Sequence, residues 1–301
     1  MRARHIEVFR AVMRSGTLTR AAGLLNVSQP ALSQSLLQAE DELGFKLFER
    51  VKGRLVPTPE AEELFPEAER LFGDLENLRR MAQDLRQGRR GLVRLATSAP
   101  PALSVVPAAL DAFRRAHPEV RLLSSVVPVE RIIAMLEGGQ AGLGLAMTEE
   151  ALPMIETKVI GRCDLVCLLP EGHRLAARPQ LAVADLAGER LIAYRRDSQP
   201  GLMLERALAR QGETLRPDIE VELSIIALAF VQGGLGVAIV DGLLPWRRFA
   251  GVTTVPLLPR IALPISLLTS TRRPLSRHHD LLRQELRRAV AAHLGAADAP
   301  P

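Results

Sequence analysis

The chain has 301 residues, 47% hydrophobic and 24% charged, with 39 Lys and Arg against 34 Asp and Glu. That length supports two or three domains with sizeable cores, and the composition is ordinary for a globular protein. No apolar run approaches a membrane span or a secretory leader, so a cytoplasmic protein without membrane contact is expected.

The first informative pattern begins at residue 17. Leu18, Ala21, Ala22 and Leu25 fall at i, i+3, i+4 and i+7, one face of a helix, and Thr17 stands where an N-cap belongs. Asn26 tolerates the left-handed geometry of a helix-ending turn, and Val27 can tuck between two helices. Ser28 then caps a second helix with Pro30 in its first turn, Leu32, Leu36, Ala39 and Leu43 as its buried stripe, and Gly44 as its stop. The opposite face presents Gln29, Ser33, Gln34 and Leu37. A helix with such a face can enter the major groove, where Gln pairs with adenine in bidentate fashion.

A short hairpin is predicted next. Leu47 and Phe48 are apolar, Arg50, Lys52 and Arg54 surround Gly53, and Leu55 and Val56 lead into Pro57. Beside a groove-reading helix, three cations on a hairpin are placed to neutralise phosphates. Residues 1–58 carry nine Arg and Lys against five Asp and Glu, and residues 59–87 reverse this with four against eight. A basic head on an acidic stalk fits DNA contact that ends where the stalk begins.

The runs "FRAVMRSGTLTRAAGLLNVSQPALSQ" and "ELGFKLFERVKGRLVPTPEA" closely resemble the N-terminal domain of LysR-type transcriptional regulators. "RHIEVFRAVM" and "LFERVKGRLVPT" are most similar to the branch regulating lysine biosynthesis and opine catabolism. The resemblance implies base or phosphate contacts from Ser28, Gln29, Pro30, Ser33 and Gln34, and wing contacts from Arg50, Lys52 and Arg54. One departure is visible: the family commonly has basic residues where this chain has Gln34, Leu37 and Gln38. More phosphate anchoring is therefore expected from the wing and from Arg2 and Arg4.

Thr58-Pro59-Glu60 opens a further helix, with a cap, a proline in the first turn and an early acid. Ala61, Leu64, Ala68, Leu71, Leu75, Leu78, Ala82 and Leu85 recur at spacings of three and four, a narrow stripe suited to helix pairing. A two-fold DNA reader needs a two-fold axis, so Leu64, Leu71, Leu75, Leu78 and Leu85 are the expected dimerisation residues. Gly88-Arg89-Arg90-Gly91 ends the helix. The predicted domains are 1–58 for DNA binding, 59–90 for the linker helix and 91–301 for effector binding.

From Leu92 strands and helices alternate, the pattern of an α/β domain with a largely parallel sheet. Strands are predicted at Leu92–Thr97, Val120–Val127 and Gly142–Met147, with helices at Ser104–His117 and Val129–Glu137. A second unit follows, with strands near Asp164–Leu169, Leu191–Tyr194, Ile219–Leu223 and Val237–Val240 and helices near Gly201–Gln211 and Ser224–Gln232. Ile265–Ser270 is one more strand and Leu281–Leu294 a final helix, followed by an Ala/Pro-rich tail expected to be disordered. Two such lobes (I, 91–161 and 266–295; II, 162–265) resemble the effector domain of the same family, which is similar to type 2 periplasmic binding proteins. The crossovers are expected near Gly161–Arg162 and Pro264–Ile265. By the same resemblance a small-molecule effector contacts Thr97, Ser98, Pro128, Val129, Met147, Thr148, Tyr194, Arg195, Ser224 and Ile225.

Independent chemistry bears on this cleft. Thr97 and Ser98 precede a helix, where hydroxyls and free N–H groups would suit a carboxylate. Arg195 or Arg196 could clamp an acid, and Glu130, Glu149 or Glu222 could meet a cationic ligand end. The resemblance to the lysine-biosynthesis and opine-catabolism branch, together with Thr97 and Ser98, makes an amino acid or amino-acid derivative the expected effector. Cys163 and Cys167 are read as small apolar filling, the six histidines show no zinc spacing, and no phosphate loop or nucleophile elbow is present. No cofactor and no enzymatic activity are expected. The expected partners are double-stranded DNA with a two-fold operator, the effector, and further copies of the chain in a homodimer or homotetramer. The competing readings are a stand-alone solute-binding protein and an enzyme built on the α/β region.

Overall fold

A computed structural model describes residues 2–51, 54–86 and 91–297, and the chain divides into two compact units, residues 1–88 and 89–301. Lys52, Gly53, Gly88 to Arg90 and the last four residues lie outside the described residues, as does the side chain of Leu85.

The first unit runs α1 (Ala3–Ser15), α2 (Leu18–Leu24), α3 (Gln29–Leu43), β1 (Phe48–Val51), β2 (Arg54–Pro57) and α4 (Pro59–Arg86). Gly16 ends α1 in the left-handed region (φ 69°), and Thr17 caps α2 by accepting from the Arg20 N–H at 3.3 Å. Asn26 takes a φ of 52° in the α2–α3 turn, a conformation Asn tolerates better than most residues. Phe9 of α1 is fully buried and meets the rings of Phe48 and Phe65 at 6.0 and 6.2 Å, joining helix, hairpin and α4 in one core. The helix α4 continues through Pro66, whose missing N–H leaves the Glu62 carbonyl without its usual intrahelical donor.

The stripe along α4 divides into two parts. Ala61, Leu64 and Ala68 pack against the core of their own unit, with Phe65 beside them. Leu64, expected at a dimer seam, is therefore engaged within its own head. Beyond it, Leu71 is 45% and Leu78 62% exposed, and Leu75 is half-buried.

The second unit contains β3 (Val93–Thr97), α5 (Ala99–Ser104), α6 (Val106–Ala116), β4 (Leu122–Val126), α7 (Val129–Glu137), β5 (Leu143–Ala146), β6 (Ile155–Pro170), β7 (Leu181–Ala182), β8 (Leu191–Tyr194), α8 (Gln199–Ala209), β9 (Ile219–Val221), α9 (Ser224–Gln232), β10 (Val237–Asp241), β11 (Val252–Leu258), β12 (Ala262–Ser270) and α10 (Arg277–Ala297). The strand order is β4-β3-β5-β12-β6-β10-β8-β9, with β11 joining β6 to β7. Strands β3, β4 and β5 are mutually parallel, as are β8, β9 and β10, and β6 and β12 run antiparallel to their neighbours.

The strand β6 crosses the whole unit. Its first half pairs with β12 in one lobe and its second half with β10 and β11 in the other. The expected crossovers lie opposite one another, Pro264 against Arg162 and Ile265 against Gly161, with a register shift at Ile265/Ser266. A Cβ at Gly161 would stand 2.6 Å from Leu294 and 2.8 Å from Val290, so glycine lets α10 lie directly on this crossing. Leu282, Leu286 and Val290 seal α10 to the unit's main core.

Candidate DNA-reading head and effector cleft

In the reading head, Ser28 caps α3 by accepting from the Ala31 N–H at 3.4 Å, and Pro30 occupies the first turn. Leu32, Leu36 and Ala39 face inward. Gln29, Pro30 and Gln34 are exposed on the outer face with Leu37 and Gln38, and Ser33 is half-buried. The hairpin pairs Phe48 with Pro57 through Val51 with Arg54, which carries exposed Arg50 and Arg54. Arg4 is paired with Glu7 at 2.7 Å, and Arg2 lies 3.7 Å from Glu42.

In the second unit a cavity of about 980 Å³ opens between the lobes. Ser98, Pro128, Val129, Met147 and Thr148 reach it from one lobe, and Tyr194 and Arg195 from the other. The acids Glu130, Glu149 and Glu222 also line it. Thr97, Ser224 and Ile225 do not. Thr97 is fully buried and turns its hydroxyl to the Ser98 carbonyl at 3.0 Å. Strand β9 ends at Val221, so Glu222 and Leu223 face the cavity while α9 carries Ser224 inward and Ile225 onto the core of its lobe.

The start of α5 is a poorer anion site than its Thr-Ser signature implies. Pro100 and Pro101 remove two N–H groups from the first turn, and the buried Ser98 hydroxyl has no hydrogen-bond partner. Asp197, Ser198 and Gln199 from the loop and start of α8, and Arg206 from its last turn, line the cavity and were not singled out from sequence. Their signal was available: Ser198-Gln199-Pro200 repeats the cap-and-proline start of Ser28-Gln29-Pro30, and Ser198 accepts from the Gly201 N–H at 3.3 Å.

Charge in the cavity is unequal. Five carboxylates line it (Glu130, Glu149, Glu150, Asp197, Glu222) against two guanidiniums, Arg195 and Arg206. Arg195 bridges Asp197, at 2.5 and 2.9 Å, to Glu222 at 2.7 Å. The Asp197 hydrogen bond raises the Arg195 guanidinium's pKa above its ordinary value, and the same contact holds the Asp197 carboxyl low. Glu149 is paired at 2.5 Å with Arg162 at the crossover. At one wall the buried Tyr194 hydroxyl donates to Asp241 Oδ2 at 2.8 Å, while Asp241 Oδ1 accepts from the Leu243 and Leu244 N–H groups at 3.1 Å. Burial first, and the Asp241 charge second, keep the phenol proton on well above its usual range.

Both cysteines are buried and free. Burial pushes the Cys167 thiol up to about 12 and raises Cys163 as well, the opposite of an activated thiolate. Among the described residues no group of His, Cys, Asp and Glu could hold a metal, and no helix is long and apolar enough to cross a membrane.

A capped helix pair with a basic hairpin, and an α/β unit with a cavity between two lobes, define a ligand-responsive DNA-binding protein. Residues 3–62 match the bacterial regulatory helix-turn-helix protein model of the lysR family, and residues 86–291 match the LysR substrate binding domain. The chain is 33% identical over 295 residues to the transcriptional activator protein LysR of Escherichia coli K12, covering 97% of this chain and 92% of that protein. It is 34% identical over 241 residues to the regulatory protein NocR of Agrobacterium fabrum C58, covering 80% of each. The fold is similar to that of CbnR, a LysR family transcriptional regulator, with a TM-score of 0.67 at 22% identity, covering 96% of this chain and 99% of that one. The chain belongs to the LysR family. It is a DNA-binding transcriptional regulator with an effector-binding domain, and not an enzyme.

Proposed function

We propose that this regulator binds a two-fold operator in the cytoplasm as a homodimer or homotetramer and answers to an amino acid or amino-acid derivative held between its lobes. The observation that carries the effector reading is the charge of the cavity. Five carboxylates face two guanidiniums, and Arg195 is already held by Asp197 and Glu222. A ligand bearing an ammonium group relieves this excess, with Glu130 and Glu150 on one lobe and the Arg195 triad on the other within the same walls. Its carboxylate can take the N–H groups opening α7, at Val129 and Glu130, and the guanidinium of Arg206.

On the DNA side, Gln29, Ser33 and Gln34 read base edges, Ser28 and Pro30 set the entry of α3, and Arg50, Lys52 and Arg54 hold the backbone. Ligand closure acts on DNA through its differential affinity for two assembly states. A calorimetric or thermal-shift screen of the full chain tests the effector. Free amino acids and their N-substituted derivatives should stabilise it, by about 2.7 kcal/mol at a hundredfold excess over Kd. Silence towards them with stabilisation by amine-free aromatic or aliphatic acids refutes the reading.

A further inference from the structure

Among the described residues two carboxylates are buried, Asp241 at the cavity wall and Glu40 on α3. Glu40 is 6% exposed, a depth at which a charge persists only when its lone pairs are supplied with donors. Its donors come from Lys46, Leu47 and Phe48, the three residues that lead from α3 into the wing. Glu40 Oε1 accepts from the backbone N–H of Leu47 at 2.8 Å and of Phe48 at 3.2 Å, and Oε2 accepts from Lys46 Nζ at 2.9 Å. Thr58 grips the same segment from the other side. Its hydroxyl donates to the Lys46 carbonyl at 2.8 Å, its N–H donates to the Leu47 carbonyl at 3.0 Å, and its oxygen caps α4 by accepting from the Ala61 N–H at 3.2 Å.

We infer that Glu40 is a positioning residue for DNA binding: its buried carboxylate, bonded to the N–H groups of Leu47 and Phe48, sets the basic wing against the reading helix. Leu47 and Phe48 are the root of β1, and Arg50 lies two residues beyond it, paired across the hairpin near Arg54. Glu40 is buried whereas Gln29, Gln34 and Leu37 are exposed, so its carboxylate is not presented to DNA. Its effect on binding passes through the direction in which the two arginines are presented. Charge-assisted bonds to backbone N–H groups suit this role, because they fix the strand without depending on side-chain rotamers in the wing. The inference rests on the reading that the wing contacts phosphates, and the test separates the two.

The experiment measures the salt dependence of binding by the full chain to the DNA upstream of its own gene, in a cycle of Glu40→Ala with Arg50→Ala/Arg54→Ala. In the intact wing, Glu40→Ala should flatten the slope of log K against log salt by about one to two units. At about 0.15 M salt that is a loss of about fivefold per phosphate contact and about thirtyfold for two. In the Arg50→Ala/Arg54→Ala chain the same change should leave the slope nearly unaltered. The Lys46 ammonium released in both arms cancels in this comparison. Glu40→Gln keeps a carbonyl acceptor for Leu47 and Phe48 and should recover most of the slope; it also carries the test if the alanine chain melts below the assay temperature. Equal flattening in both backgrounds, or a lower affinity with the slope unchanged, assigns Glu40 to general stability and overturns the inference. An unchanged slope for Arg50→Ala/Arg54→Ala alone removes the wing reading, and the role of Glu40 with it.

Discussion

Replacing Leu71 and Leu78 by Glu is expected to convert the assembly to monomers without unfolding the reading head. The two side chains are 45% and 62% exposed in the single chain, so those fractions are what pairing of two α4 helices can still bury. Full burial of a Leu side chain contributes about 1.5–3 kcal/mol, which leaves about 1 kcal/mol at Leu71 and about 1.4 kcal/mol at Leu78 in each protomer. For two protomers the sum is about 5 kcal/mol, or between three and four decades in the dissociation constant. Carboxylates at the seam add like-charge repulsion, so the estimate is a lower bound for the double variant. Sedimentation at micromolar concentration reads the mass directly, and a melting curve reports the head. Leu64→Glu supplies the contrast: it strikes the core formed with Ala61, Ala68 and Phe65, and should lower the melting temperature of the head. Intact dimers for Leu71→Glu/Leu78→Glu would show that α4 is not the interface. A melting loss equal to that of Leu64→Glu would show that the exposed stretch is needed within the head.

Two other outcomes are expected. Gln29→Ala should alter base preference at one position of the operator by roughly 1–3 kcal/mol while leaving the salt slope in place; an unchanged preference in a binding selection would remove its bidentate contact. His279 accepts the Arg94 N–H at 3.2 Å, and burial, with the nearby Arg94 and His278, lowers its pKa to about 4. Its folded value lies below the unfolded value of about 6.5, so its contribution is complete above that pH. It falls as the pH drops from about 6.5 towards 4, by roughly 3 kcal/mol in all. His279→Gln should flatten that limb in melts across this range, and superimposable pH profiles for the two chains would refute the assignment.

Much of the head was legible because its signals are local. Thr17, Ser28 and Gly44 act on residues within a turn of themselves, and the period of Leu32, Leu36 and Ala39 needs no partner to be seen. The helix α1 was not read: Arg2 makes no side-chain cap and no acid lies in the first turn, although Val8, Phe9 and Val12 carry the apolar period. In the second unit α7, α9 and β8 fall where expected. The helix predicted at Ser104–His117 is α6 (Val106–Ala116) to within two residues, and the short α5 ahead of it, with Pro100 and Pro101 in its first turn, was not read. The strand β11 went unnoticed because Pro256 argues against a strand, yet Pro256 sits opposite Val166 of β6 near the end of that pairing. Only Asp164–Leu169 of β6 was anticipated, since Glu156, Thr157 and Lys158 read as polar surface although they pair with Thr269, Leu268 and Leu267 of β12.

The sequence by itself determined the kind of reader, the basic hairpin, the long helix and the alternation that makes two α/β lobes, because caps, turns and periodicity act over a few residues. Tertiary structure decided which residues meet. Arg195 looked like a free clamp for an acid until β8 and β9 paired and brought Glu222 to within 2.7 Å of it. Thr97 and Ser224 looked like ligand contacts until the fold buried them, and Leu64, on the expected dimer seam, lies half-buried against the core of its own head. In each case the deciding partner lies far along the chain or on another element, and a side chain's charge or apolar surface answers to the neighbour that reaches it first.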